Sequence, residues 1–180
     1  HNYTYDNLYR LVAAGFTPAN PLFPDESFTY DNVGNRLTSV IASSEGTWQS
    51  QYTYDDANRL TSDDQFTYSY DNNGNMTSKT EKGTNKYWEY VYNSENQLVK
   101  YEEFDTPSKT TLVKSVEYKY DGLGRRIEKV VDGVVTRFIY DNEDIILELN
   151  SSNNVQARYT HGPGIDEPLV MSRVGVDSFY

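Results

Sequence analysis

The sequence is as informative for what it lacks as for what it holds. It has no cysteine, so disulfides and thiolate metal centres are excluded. Only two histidines are present, His1 and His161, which leaves little imidazole for general-base chemistry or metal ligation. No apolar run approaches the length of a membrane span, and no secretory leader is visible. Basic residues are scarce: 16 Lys and Arg against 27 Asp and Glu give a net charge of -11. That balance argues against a nucleic-acid backbone or an anionic membrane as the partner. No phosphate loop, dinucleotide fingerprint, zinc spacing or nucleophile elbow occurs. No cofactor and no metal are therefore expected. His1 is an unusual natural start, and the 180 residues read as a segment of a longer protein.

Aliphatic content is low as well, with a mean hydropathy of -0.76. Tyrosine takes its place, 17 residues of it, beside 7 Phe and 2 Trp. Tyrosine buries a large ring and keeps a polar tip, which suits half-buried sheet faces.

Those tyrosines are ordered. Tyr5-Asp6, Tyr30-Asp31, Tyr54-Asp55, Tyr70-Asp71, Tyr120-Asp121 and Tyr140-Asp141 repeat one pair, and Tyr92-Asn93 is a degenerate copy. Repetition on this scale signals stacked supersecondary units. Upstream of each pair aromatics fall at every second position, as in Phe66/Tyr68/Tyr70 and Trp88/Tyr90/Tyr92. Period two means a strand with an aromatic face and a mostly polar face. The aspartate suits the first position of a turn, because its carboxylate accepts backbone N–H groups further on. Three residues later stands Gly34, Gly74 or Gly124, or else Asn58 or Asn96, residue types that tolerate positive φ. A return strand follows, anchored by Leu37, Leu60, Met76, Leu98 or Ile127.

Each unit is thus strand, tight turn, strand. The fold class expected is all-β, a repetitive antiparallel β-hairpin meander in which the aromatic faces stack into a continuous ladder. Asp132-Gly133 signals a further two-residue hairpin turn. The prolines at 18, 21 and 24 mark residues 13–26 as an excursion loop, and 102–110 around Pro107 reads as another. Self-association is expected through the unpaired edges of the first and last strands, with a filament if they join head to tail.

The pattern Tyr-Asp-x-x-Gly-Asn/Arg-Arg-Leu resembles the YD repeat of the RHS family, which includes bacterial Rhs polymorphic toxins, the shell component of insecticidal toxin complexes, and teneurins. A second stretch, Arg137–Leu149 followed by Tyr159-Thr-His-Gly-Pro-Gly-Ile-Asp-Glu-Pro-Leu-Val170, resembles the start of the RHS-associated core. The organisation expected is YD repeats over 1–149 and the core-like segment over 150–180. The resemblance implies a β-sheet ribbon that spirals into a hollow shell around a C-terminal polypeptide, often a toxin. In several members an aspartate-based site near the core frees that cargo; the Asp-Pro-x-Gly region that goes with it does not occur in these 180 residues.

The function expected is a non-enzymatic scaffold, part of a large secreted or surface-exposed bacterial protein. Its partners are the rest of that protein, copies of itself, or an enclosed effector. The residues expected to carry it are the repeat pairs Tyr5/Asp6 to Tyr140/Asp141 with Gly34, Gly74 and Gly124. Two other classes compete. Trp48 and Trp88 are candidate glycan contacts of an adhesin. Asp166, Glu167 and Asp177 are candidate carboxylates of a self-cleaving site, with turn capping the plainer role for Asp166. The oxygen-rich turns Asp31–Asn35 and Asp71–Asn75 resemble calcium loops but lack a closing acid, so turn formation accounts for them.

Overall fold

The computed structural model describes residues 2–15, 23–164, 167–173 and 176–179. Among them there is no helix, and hence none long and apolar enough to cross a membrane. The chain divides into two compact units, residues 1–85 and 86–180.

The first unit opens with a five-stranded sheet in chain order: β1 (Asn2–Tyr5), β2 (Leu11–Gly15), β3 (Asp25–Tyr30), β4 (Arg36–Ser43) and β5 (Gly46–Gln51). It continues through β6 (Thr53–Tyr54), β7 (Leu60–Ser62), β8 (Phe66–Tyr70) and β9 (Met76–Glu81), again paired in sequence order. The second unit is a meander of β10 (Tyr87–Tyr92), β11 (Leu98–Phe104), β12 (Leu112–Tyr120), β13 (Arg126–Val131), β14 (Val134–Asp141), β15 (Asp144–Leu149), β16 (Val155–His161), β17 (Pro168–Arg173) and β18 (Val176–Phe179). All described pairings are antiparallel. The all-β meander read from the repeats is the fold observed.

Hardly anything is fully buried. Phe104, Val116 and Ala157 are the buried apolar residues among those described, at 8%, 5% and 1% exposure. Most strand residues are half-buried, and β3 and β8 alternate strictly between exposed and half-buried positions. With so thin a core, order has to come from cross-strand contacts and from polar groups that find partners. Among the described residues no buried side-chain N or O atom lacks a hydrogen bond.

The aromatic faces are built from ring pairs and from cations laid over rings. Tyr90 and Tyr101 pack at 5.5 Å between ring centres, and Tyr87 and Phe104 at 6.3 Å. Elsewhere cations enter the stack: Arg36 lies over Phe28 and Tyr52, Arg126 over Tyr118, and Lys79 over Phe66. An arginine stacked on a ring screens an exposed face that a bare ring would leave to water.

The expected loops are narrower than their composition suggests. Leu11–Gly15 and Asp25–Tyr30 are strands, with Ala13 opposite Ser27 and Ala14 opposite Glu26. Phe16–Leu22 lie outside the described residues. Glu102, Glu103 and Phe104 belong to β11, where Glu102 faces Ser115 and Glu103 faces Lys114. Their charges are met by Lys100 and Lys86, at 2.8 and 3.8 Å, so acidic composition does not break the strand.

Candidate functional site: the tyrosine-aspartate lattice

The aspartate after each repeat tyrosine organises a five-residue turn. In the turn at Asp31, one carboxylate oxygen accepts the backbone N–H groups of Val33, Gly34 and Asn35 at 2.8 to 3.0 Å. The other accepts the Asn35 side-chain amide at 2.9 Å. Asp6, Asp55 and Asp121 do the same with an arginine: Arg10, Arg59 and Arg125 donate Nε at 2.7, 2.7 and 2.8 Å. Asp71 uses Asn75, and the degenerate copy works with neutral groups, Asn93 accepting from Glu95 and Gln97. The backbone closes in the same way each time. The Asp31 N–H donates to the Asn35 carbonyl at 2.9 Å, and the Gly34 N–H donates to the Asp31 carbonyl. That is a type I turn ending in a left-handed residue, the usual three-residue hairpin loop. Gly34, Gly74 and Gly124 take φ of +105°, +89° and +83°, while Asn58 and Asn96 take +61° and +59°. The positions expected from sequence to carry positive φ all do so. Tyr9 fills the same place in the first unit at φ +60°.

These hydrogen bonds hold the turn carboxyls below their usual range. For Asp6 and Asp55 the largest cause is the backbone N–H of Arg10 and Arg59. For Asp71 it is the Asn75 amide. For Asp31 and Asp121 burial pushes upward first, and the hydrogen bonds from Asn35 and Arg125 outweigh it.

A second layer of contacts, which the sequence does not announce, joins successive repeats within each of the two compact units. Every repeat tyrosine sits at a β-bulge. Tyr30 pairs with Arg36 and Thr29 with Thr38, so Leu37 is the extra residue. Val12, Thr61, Thr77, Val99, Ile127 and Ile146 are passed over in the same way. A bulge disrupts the ladder locally. The carbonyl just before the extra residue is taken by the hydroxyl of the next repeat tyrosine: Tyr30 to Leu11, Tyr54 to Arg36, Tyr70 to Leu60, Tyr120 to Leu98 and Tyr140 to Arg126, all at 2.7 to 3.0 Å.

The residue that clasps the aspartate also reaches forward. Arg10 donates to the Asp31 carbonyl at 2.7 Å and stacks 4.8 Å above the Tyr30 ring. Arg59 does likewise with the Asp71 carbonyl and Tyr70. Arg125 donates to the Asn142 carbonyl and covers Tyr140. Asn35, which stands in the arginine's place, bridges instead to the Asn58 side chain, at 2.9 Å. Tyrosine, aspartate and the fourth residue beyond it thus form one bonded lattice.

One sequence expectation is corrected here. Asp141 makes no such turn. It is the last residue of β14 and faces Asp144 across Asn142-Glu143, because the apolar run resumes one residue early and Tyr140 pairs with Ile145. Tyr140 keeps its inter-repeat bond all the same. Conversely, a turn of the aspartate type occurs at Asn150, whose side chain accepts from Ser152 and Asn154 while Asn153 takes φ +63°. Leu149 stands where the tyrosine would be; the signal was Asn at the first and fourth positions.

The other candidates do not converge. Trp48, on β5, is 53% exposed, and Trp88, on β10, is half-buried opposite Glu103. His161 ends β16 opposite Pro168. Asp166 and the Asp177 side chain lie outside the described residues, and Glu167 reaches the Gly164 N–H at 3.1 Å. Among the described residues no three metal-binding side chains cluster.

Comparison with known proteins finds relatives in sequence and in fold. tRNA nuclease WapA of Bacillus subtilis (strain 168) is 33% identical over 139 residues, 75% of this chain and 5% of that protein. Double-stranded DNA deaminase toxin A of Burkholderia cenocepacia (strain H111) is 30% identical over 128 residues, 71% of this chain and 8% of that protein. The crystal structure of TcdB2-TccC3-TEV superposes with a TM-score of 0.65 at 19% identity, over 87% of this chain and 9% of that one, a likeness of fold. The chain therefore spans less than a tenth of each of these much longer proteins. The family model of the teneurin YD-shell matches residues 1–159 of the 180, and the chain belongs to that family.

Proposed function

We propose that this chain is a length of wall in a large secreted or surface-exposed bacterial protein, and that the wall encloses or presents a C-terminal effector without itself catalysing a reaction. The observation that carries this reading is where the reactive-looking groups are used. The repeat aspartates, arginines and tyrosine hydroxyls, which could do chemistry if free, bond to the neighbouring turn or bulge. The relatives named for a nuclease and a deaminase toxin are many times longer than the region they share with this chain, which leaves their activities room elsewhere.

The test is limited proteolysis of the full parent protein. The region following this chain is expected to resist trypsin in the native protein and to become cleavable when the lattice is opened by Arg59→Ala with Arg125→Ala. Cleavage at equal rates in both proteins, or nuclease or deaminase activity in the isolated 180 residues, would refute the reading. The 53% exposure of Trp48 favours one other reading, a glycan contact. On that reading a Trp48→Ala variant loses a glycan-array signal that the native chain shows.

A further inference from the structure

The regular lattice breaks at one place in the first unit. Residues 46–54 run as β5, then Tyr52, then β6, yet the two strands find partners on opposite edges. β5 pairs with β4 over Gly46–Gln51. β6 pairs with β7, Thr53 against Ser62 and Tyr54 against Leu60. The hairpin that should continue this second ladder is cut short: β7 ends at Ser62, and the chain turns back through Asp63, Asp64 and Gln65 into β8. β5 is accordingly the last strand of its sheet, and over Gly46–Ser50 its outer edge has no strand beside it among the described residues.

The direction of the backbone groups on that edge follows from two hydrogen bonds. The Tyr52 N–H donates inward to the Leu37 carbonyl at 2.9 Å, and the Gln51 N–H donates outward to the Asp64 carboxylate at 2.9 Å. Peptide groups alternate along a strand. Those of Gln49 and Thr47 therefore face outward, beyond the point where Asp64 occupies the ladder. Their side chains and that of Trp48 are exposed. Edge strands are ordinarily blunted by charge or proline. Gly46-Thr47-Trp48-Gln49-Ser50-Gln51 carries neither. A cleft of about 480 Å³ opens at the foot of this edge, lined by Gln49, Gln51, Ser62, Asp63, Asp64 and Lys82. Its one cation, Lys82, is held by the Asp63 carbonyl at 2.5 Å.

We propose that the outer edge of β5 is a docking site for an extended peptide strand, with an apolar side chain set against Trp48 and a basic residue directed at Asp63 and Asp64. The chemistry of the edge sets the class of partner. Outward N–H and C=O groups in strand geometry are satisfied by another extended backbone, and the same chain already forms such a ladder lower down at Thr53 and Tyr54. Charge sets the partner's sign: the Asp63 and Asp64 carboxylates accept hydrogen bonds from the neutral groups of Gln65, Phe66, Tyr68 and Gln51, and against their two charges the cleft has one lysine, on a chain of net charge -11. A second copy of the chain would bring its own acids to the same place, which disfavours self-pairing here.

The experiment is amide NMR of the 180-residue chain titrated with a capped Lys-Val-Thr-Leu-Thr-Lys peptide at low salt. Saturable shifts and slowed exchange at Thr47 and Gln49 are expected, with the weak affinity of a small interface. Trp48→Ala should weaken binding by about tenfold. Gln49→Pro should abolish it while leaving the melting temperature unchanged, since that N–H faces away from β4. Replacing both lysines of the peptide by glutamate should weaken binding by at least about tenfold, and Asp64→Asn should narrow that preference. Three results would overturn the proposal: no saturable change at Thr47 and Gln49, peptide binding that survives Gln49→Pro, or concentration-dependent protection of Thr47 and Gln49 without peptide, which would make the partner a second copy. Glycan binding lost with Trp48→Ala but kept with Gln49→Pro would also overturn it, by assigning the edge to ring stacking.

Discussion

Removing one hydroxyl oxygen separates the two parts a repeat tyrosine plays, ring packing and hydrogen bonding. In Tyr120→Phe the ring stays and the Leu98 carbonyl at the bulge loses its donor. A net cost of about 1 kcal/mol is expected, read as a lower urea midpoint with an unchanged slope. Tyr5 heads the series and is 55% exposed, so Tyr5→Phe should change stability by less than ~0.5 kcal/mol. Equal losses in the two variants would mean that the hydroxyl contact is not what matters. The contrast also marks what a reader of the sequence can see. The aspartate turns were legible because the acid, the N–H groups it caps and its clasping Arg or Asn lie within five residues, a span in which side-chain chemistry dictates geometry. The tyrosine bond was not, because its acceptor is a backbone carbonyl 10 to 22 residues back, identified only by the position of a bulge.

The hairpin turn is the element that all the units share, and its last loop position governs what it tolerates. A Cβ on Gly74 would meet nothing within 4 Å, so any penalty there is conformational and not steric crowding. Gly74→Ala should cost about 1–2 kcal/mol from the left-handed conformation. Gly74→Asn should cost less, because Asn58 and Asn96 already hold the equivalent place. Tyr9 is the converse: a bulky residue at φ +60°, 89% exposed, with little packing to lose. Tyr9→Gly should therefore stabilise the first hairpin, by up to ~1 kcal/mol after the extra chain entropy of glycine is set against the relief. A rise in melting temperature of about 2–4 °C would show it, and a fall would mean that the Tyr9 ring does work not visible in its exposure. Glycine and asparagine positions were readable in advance since positive φ leaves a compositional trace. Strand limits were not. Proline and acid content suggested loops at 13–26 and 102–110, whereas register and ion pairing extend the strands into both. The early stop of β7, which leaves the β5 edge open, likewise has no marker except the Asp63-Asp64 pair.

Over the whole molecule the same turns set a pH response with two opposed contributions. Between pH 7 and the sequence pI of about 4.5, acid removes net negative charge and with it self-repulsion. The turn carboxyls act lower down. Asp6, Asp31, Asp55, Asp71 and Asp121 are all held below the free value of 3.8. A depressed carboxyl gives stability that is complete above its free value and is lost as pH falls through the folded value. Stability should thus stay level or rise slightly from pH 7 to about 4.5, then fall steeply below about 3.8, with several protons taken up together. Tyrosine supplies the alkaline limb with the opposite sign. Burial pushes Tyr90 and Tyr159 from 10.0 up to about 12, so the folded state favours the neutral phenol. Their contribution is complete below pH 10 and is lost as pH rises towards 12. Urea midpoints followed by circular dichroism across this range test both limbs. Replacing the five turn aspartates by asparagine, as the Asn93 turn already does, should flatten the acid limb and leave the alkaline one in place. An acid limb that persists in that variant would shift the dependence to the other carboxyls held low, Asp63, Asp64 and Asp105 by their hydrogen bonds and Glu128 by Lys119 and Arg137.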